Sequence, residues 1–466
     1  MCGPSGALAQ NAPASPPPRA KNDTTRTGTA RTTQSFRVAS VGDIIAGDSF
    51  AEIADANIAA AMKLIASSDV GFGNLEGNLL DLKKFKGYPE AENGGMWLIA
   101  PPQIAEDLRA AGFRMLARAN NHSTEWGRDG MQETDRALDK VGIAHAGTGA
   151  NRTAARAAAY LTTAKGKFSL VSMASSFTAS SVAAPKQAEM AARPGMNAIR
   201  TEEFHIVSRV MMDGLVQISD AQREKTSSPH SKAAPEKPDK LELFGVSYRV
   251  GNDVGGSSFE MNPIDVAENL AAIREGKNRS DFLIATIHTH EPGNWSQEPP
   301  DFLVELAHRC IEVGADEFSG HGPHQLRGIE IYKGKPIFYS LGNFIFAVEQ
   351  QKPVPLEMYE TLGQDAERLS NGDLIGIFIK KYLDSALWYQ SVIAVSKFDD
   401  GRLDEIRLYP VELGFSTQDE TRGLPRIPPP AVAREILQRL QKLSEPFHTE
   451  IKIEDNVGVI RLAVSN

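Results

Sequence analysis

Bulky apolar residues are almost absent from residues 1–34, a run of Ala, Pro, Thr, Ser and Arg, and become regular only from Phe36. Such a segment cannot bury enough surface to offset the entropy of ordering, which predicts a disordered tail. Beyond it, short apolar runs alternate with stripes of helical period. Residues 36–41 read as a strand ending at Gly42-Asp43, and a stripe through Ile53, Ile58, Met62 and Ile65 predicts a helix over 50–67. A strand at 69–73 then ends at Asn74-Leu75-Glu76. The pattern repeats with a helix at 102–111, a strand at 113–118 leading to Asn120-Asn121-His122, and a helix at 127–141. Strands alternating with helices of this length predict a largely parallel sheet whose ligands gather beyond the carboxyl ends of the strands.

The pattern weakens over 178–240, and TSSPHSKAAPEKPDK at 226–240 predicts an exposed loop, so this stretch reads as a flexible insertion. A strand at 282–287 delivers His288, and a helix follows at 302–313. Apolar runs at 374–379 and 388–395 predict strands of a second sheet, and 430–444 reads as a late helix. The expected organisation is one enlarged α/β domain over 35–425, with the helix and strand of 426–466 packed on it.

Composition narrows the function classes. The formal charge is −9, which disfavours nucleic acid as a partner. Only Cys2 and Cys310 are present, so neither a disulfide framework nor a cysteine zinc site is expected, and Cys310 reads as a small buried residue. No apolar run reaches the roughly 18 residues of a membrane span. Gly6-Ala7-Leu8-Ala9-Gln10 has the small residues of a secretory cleavage region without the basic and apolar stretches that precede one, which leaves export to the periplasm or exterior and retention in the cytoplasm both open.

The candidate chemistry lies at the ends of the apolar runs. Gly320-His321-Gly322-Pro323-His324 sets two histidines three apart in a glycine- and proline-rich loop, and Gly42-Asp43, Asn74-Leu75-Glu76, Asn120-Asn121-His122 and His288-Thr289-His290-Glu291 offer carboxylates, amides and further imidazoles. Such donors, delivered from several strand ends, are what a hydrolytic site for one or two divalent cations requires. Mixed nitrogen and oxygen ligands suit Mn, Zn or Fe. Lys83, Lys84 and Lys86 just after Glu76 offer attraction for an anionic substrate, with Arg118 and Arg193 as further candidates; a solvated loop is the competing reading for the lysines. Asn343 either orients a ligand histidine or closes the Leu341-Gly342-Asn343 turn.

The segments VGDIIAGD (41–48), DVGFGNLEG (69–77), NNHSTEWGRDGMQET (120–134), GIAHAGTGAN (142–151), IATIHTHE (284–291) and GHGPHQLRGIEIYKGKPIFYSLGNFIF (320–346) run in an order that resembles the CapA family of capsule or poly-γ-glutamate synthesis proteins, themselves similar to calcineurin-like metallophosphoesterases. The resemblance implies a four-layer α/β/β/α sandwich, two sheets flanked by helices. It implies Asp43 as ligand of one metal, Glu76 as a bridging carboxylate, Asn121 and His288 as ligands of a second metal, and His321 and His324 divided between the two. His122 would then act as general acid or donor to developing charge. Two departures stand out: Ile45 lies where phosphoesterases place a histidine, and His288-Thr289-His290-Glu291 stands where many relatives have a His-Trp-Gly sequence with a later glutamate, leaving His290 and Glu291 as ligands, supports of ligands or substrate contacts.

The leading expectation is a metal-dependent hydrolase acting on an anionic polymer or ester of the cell envelope. A metal-dependent peptide epimerase on the same fold and a non-catalytic polymer-binding accessory of a synthesis and export complex are the alternatives.

Overall fold

The protein is described here by a computed structural model covering residues 35–90, 96–226 and 237–462. The disordered tail expected at 1–34 and much of the loop expected at 226–240 lie outside the described residues.

The strand Phe36–Ile45 organises the molecule. It pairs in parallel with Val70–Leu75 on one side, antiparallel with Gln390–Asp399 on the other, and its carboxyl end also pairs in parallel with Asn343–Phe346. Phe113–Ala117 and Ala144–Ala146 extend the parallel side. Arg402–Glu412 and Val457–Arg461 extend the antiparallel side, giving a nine-stranded sheet. A second, six-stranded sheet has Gly166–Ala174, Phe282–His288 and Glu317–His321 as its parallel centre. Val70–Leu75 and Phe282–His288 are buried along their whole length, as strands covered on both faces must be.

The two sheets pack face to face through Phe36, Val38, Phe72 and Met115 from the first and Phe168, Leu170, Phe282 and Ile284 from the second. The helices Ala56–Ala66, Gln103–Ala110 and Gly127–Val141 bury Ile58, Ile65, Ile104, Leu108 and Leu138 on the outer face of the first sheet. Pro263–Asn278 and Asp301–Glu312 bury Leu270, Ile273, Leu306 and Cys310 on the outer face of the second. The architecture is therefore the four-layer α/β/β/α sandwich. The helix starts are chemically set: Asp55 accepts hydrogen bonds from the amides of Asn57 and Ile58, and Asn262 from those of Ile264 and Asp265 with Pro263 following.

Three expectations need correction. The run at 374–379 is not a strand but the middle of the helix Asn371–Tyr382, because Ser370 caps it by accepting from the amide of Asp373, an acid in the first turn. Its Leu374, Ile375 and Ile379 fill a separate apolar cluster with Phe346 and Tyr389. The strand that covers 390–399 joins the first sheet, not a second one, through pairs such as Phe36 with Phe398. The insertion is also more regular than a flexible loop: Thr201–Val207 pairs with Val246–Val250 and Ser257–Met261, Lys240–Leu243 completes a four-stranded sheet, and the 18-residue helix Arg209–Thr226 accompanies it.

Candidate metal centre

The register of the two sheets brings the polar strand ends together. Asp43 lies opposite Asn74 on one side and Asn343 on the other, and His288 lies opposite His321 in the neighbouring sheet. Gly42 permits the closest approach: a Cβ there would stand 1.8 Å from the carbonyl oxygen of Gly342, the atom that accepts the Asp43 amide at 3.0 Å. Gly322, at φ 113°, lets the loop between the two histidines run against Thr289, and its amide donates to the Asp43 carboxylate at 3.0 Å.

Asp43, Glu76, His288, His290, His321 and His324 then fall into three overlapping groups with the geometry to hold a metal ion: Asp43 with His288 and His321, Asp43 with Glu76 and His324, and Glu76 with His288 and His290. Glu76 Oε1 lies 3.6 Å from His288 Nε2, 3.7 Å from His122 Nε2 and 4.0 Å from His324 Nε2. Asp43 Oδ2 lies 3.5 Å from His324 Nδ1, and Oδ1 3.8 Å from His321 Nδ1.

Four of the imidazoles are held from outside by one nitrogen. The Thr286 hydroxyl donates to the Ser319 carbonyl, so its lone pair accepts the Nε2–H of His321 at 2.7 Å, which turns the Nδ1 lone pair inward. Asn343 donates its amide to the Trp388 carbonyl and presents Oδ1 to His324 Nδ1 at 2.9 Å. Asn294 Oδ1 holds His290 Nδ1 at 2.7 Å, and Glu125 holds His122 Nδ1 at 2.5 Å. Anchoring of this kind fixes tautomer and ring direction, the usual outer support of metal-binding histidines. His324 sits at φ 57°, in the left-handed region that residues other than glycine seldom occupy.

Burial dominates the electrostatics. It pushes the His288 and His122 imidazoles well below the ordinary range and His290 and His321 down to about 4, with neighbouring histidines adding to the effect, so their nitrogens present lone pairs. Burial would raise Asp43, yet His324, His321 and the Asn74 amide together hold it below its usual value. Glu76 is raised well above its own by burial and by the charges of Asp43 and Glu125. Both Glu76 oxygens are buried without a hydrogen bond. An uncompensated carboxylate beside imidazole nitrogens only 3.0 Å (His288 to His290) and 3.1 Å (His288 to His321) apart is the donor set that a divalent cation satisfies. The residues present fit the metal that the resemblance implies.

The other sequence candidates are placed as follows. Asn121 is buried between Asn120, whose amide donates to Asn74 Oδ1 at 3.1 Å, and His122. Glu291 lies outside the three ligand groups and accepts from Ser175 at 2.8 Å and Thr289 at 2.5 Å. Of the two roles left open for Asn343, it fills the orienting one. Arg118 is fully buried and donates to the carbonyls of Leu75 and Gly77, bracing the strand end that carries Glu76. Lys84 is exposed, bonds Asp81 at 3.0 Å and lines a cavity of about 800 Å³ with Lys83 and Lys352. Arg193 lines a different cavity, of about 280 Å³. Sequence reasoning did not assign Asn74, Glu125, Asn294 or Arg327. Glu125 carried a signal in its His-x-x-Glu spacing from His122, and Asn294 lies four residues after the His290 it holds; Asn74 and Arg327 are known through contacts distant in sequence.

Residues 37–348, the span that holds all of these ligands, match the family described as Bacterial capsule synthesis protein PGA_cap. The chain belongs to that family. Among similar proteins, y4sH of Sinorhizobium fredii (strain NBRC 101917 / NGR234) is 44% identical over 453 residues, covering 95% of this chain and 96% of the relative. The capsule biosynthesis protein CapA of Bacillus anthracis is 23% identical over 321 residues, 68% of this chain and 61% of that protein. A probable polyglutamine synthesis accessory protein of Mycobacterium tuberculosis (strain ATCC 25618 / H37Rv) is 28% identical over 246 residues, 52% of this chain and 48% of that one. This PGA_cap protein is thus similar to proteins named for capsule biosynthesis and polyglutamine synthesis. No helix among its described residues is long and apolar enough to cross a membrane.

Proposed function

We propose that this PGA_cap protein is a metal-dependent hydrolase acting on an anionic polymer or ester of the cell envelope, with a capsule-type polyglutamate as the polymer that its relatives' names favour. The observation that carries the reading is the set of outward-anchored imidazoles converging on Asp43 and on a Glu76 carboxylate that is buried without a hydrogen bond. Asp43, Glu76, His288, His290, His321 and His324 would hold one or two divalent ions, with Mn, Zn or Fe matching the mixed donors. When bound, such ions supply Lewis acidity toward a phosphoryl or carbonyl oxygen and lower the pKa of water.

The chain's own residues do the rest. Glu125 holds His122 at Nδ1, leaving Nε2, 3.7 Å from Glu76, as the atom that accepts or returns a proton. Ile45 packs with Met96, Leu98 and Phe346 in the apolar cluster, and His290 brings a nitrogen to the Glu76 side instead. Elemental analysis of purified protein, paired with hydrolysis of phosphomonoesters, phosphodiesters and γ-glutamyl peptides, tests the proposal. The expected result is a bound transition metal and turnover of one substrate class, both lost in His321→Ala. Solvent deuterium entering an unhydrolysed peptide would point to epimerisation, and polymer binding without turnover to an accessory.

A further inference from the structure

The cavity that contains Arg193 carries a charge imbalance. Arg152, Arg156, Arg193 and Arg200 line it, together with Asp265. Asp265 is saturated: Arg200 grips it with Nε at 2.7 Å and Nη2 at 3.0 Å, and Arg156 Nη2 adds a third contact at 2.7 Å. Glu268 takes Arg152 at 2.6 Å and also Arg156. Arg193 has no carboxylate partner among the described residues and spends its Nε and Nη2 on the carbonyls of Val182 and Ala179. Four guanidinium groups against two carboxylates leave two positive charges around one concavity, in a chain whose net charge is −9. Clustered like charges repel, and an anion seated among them would relieve that repulsion.

The larger cavity, beside Lys84, shows the contrast. There Lys84 pairs with Asp81 and Lys352 with Asp48 at 2.9 Å, so those cations are already answered.

Position gives the imbalance a use. Phe177 and Val182, on the segment after Gly166–Ala174, form a wall of the arginine cavity. The same segment faces the metal centre on its other side: the Ser176 hydroxyl accepts the His290 amide at 2.8 Å, and Ser181 accepts from Thr124 at 2.6 Å. One stretch of chain therefore separates the arginines from the ligand His290 and from the turn that carries His122.

We propose that this arginine cavity is an oxyanion subsite that holds a carboxylate or phosphate of the chain whose neighbouring unit lies at the metal centre. Guanidinium forks match the planar carboxylate and the phosphate edge bidentately. At about 280 Å³ the cavity has room for a phosphate group or the carboxylate end of a glutamyl unit. The subsite rests on the hydrolase reading for its purpose but not for its measurement, which is binding alone.

The test is calorimetric titration of the full chain, as purified, with γ-linked pentaglutamate and separately with inorganic phosphate. The proteins compared are wild type, Arg193→Ala, Arg200→Ala and His321→Ala. The expected result is at least tenfold weaker binding in both arginine variants, with metal content unchanged, and binding retained in His321→Ala. Dependence on the arginines for pentaglutamate assigns a carboxylate polymer; the same dependence for phosphate alone assigns a phosphorylated one. Wild-type affinity in both arginine variants, or binding lost only in His321→Ala, overturns the proposal, as does no binding by wild type. Arg193 bonds only carbonyls, so Arg193→Ala keeps the test decisive if Arg200→Ala does not fold. Arginine-dependent binding without hydrolysis would sink the hydrolase reading and leave the subsite standing.

Discussion

Glu76 is the least comfortable side chain in the metal-free protein, a carboxyl buried beside Asp43 and Glu125 with neither oxygen bonded. Glu76→Gln should therefore raise the stability of chelator-treated protein, by roughly 1–3 kcal/mol from the relieved burial, while abolishing metal retention. Urea unfolding with and without chelator, alongside elemental analysis, reads both effects, and a variant that keeps its metal would remove Glu76 from the ligand set. Glu317 supplies a second case away from the centre. Burial pushes its carboxyl up to about 7 although Ser40 donates a hydrogen bond to it. The folded state then holds a proton that the unfolded state releases near pH 4.5, so stability falls as pH rises from about 4.5 to about 7 and is flat above. Glu317→Gln should erase that slope and stabilise the protein at pH 8 by roughly 3 kcal/mol, the value of some 2.5 pKa units; thermal unfolding across that range checks it. The residues that hold the clustered histidines were the harder part to read from sequence. His321 and His324 stand out by spacing and Asp43 by following an apolar run, whereas Thr286 and Asn74 act through partners that only the register of strands supplies, and Asn294 through a loop that turns back onto His290.

Among elements, two contacts decide whether the strand ends can converge. Gly42 abuts the Gly342 carbonyl, so Gly42→Ala should cost roughly 3 kcal/mol as overpacking and shift Asp43 away from the histidines, seen as a lower melting temperature and reduced metal content. The loop after Phe282–His288 is clamped by Arg327, fully buried, whose Nη2 donates to the Glu291 carbonyl at 2.8 Å and whose Nε donates to that of Ser296 at 3.3 Å. Arg327→Lys should fail to span both carbonyls and weaken metal retention through His290, with a cost of roughly 2 kcal/mol or more from the lost hydrogen bonds; a variant with wild-type affinity for metal would show that the clamp does not govern the site. Legibility at this scale followed periodicity. The helix Gly127–Val141 and the parallel strands were plain because each buries a single stripe or a continuous run. The helix Asn371–Tyr382 was not, because Leu374 to Ile379 reads as a β-rich run and only the Ser370 cap reveals its direction. The sheet around Thr201–Val207 was missed because its strands are short and mostly half-exposed, which blurs alternation.

For the whole molecule, a cation that binds only the folded state adds stability by mass action, about 2.7 kcal/mol at a hundredfold excess over its dissociation constant. Adding Mn or Zn to chelator-treated protein should raise its melting temperature, and the shift should vanish in His321→Ala; an equal shift in that variant would place the binding elsewhere. The site also depends on the entire sandwich. Its ligands run from Asp43 to His324, and the strand bearing Asp43 pairs with Asn343–Phe346 and Gln390–Asp399. During synthesis, the strand Phe36–Ile45 must wait beside an empty flank until Asn343–Phe346 and Gln390–Asp399 have emerged. On the proposed reading, loading with metal marks a finished polypeptide, and a chain terminated before Asn343 is expected to lack the ion.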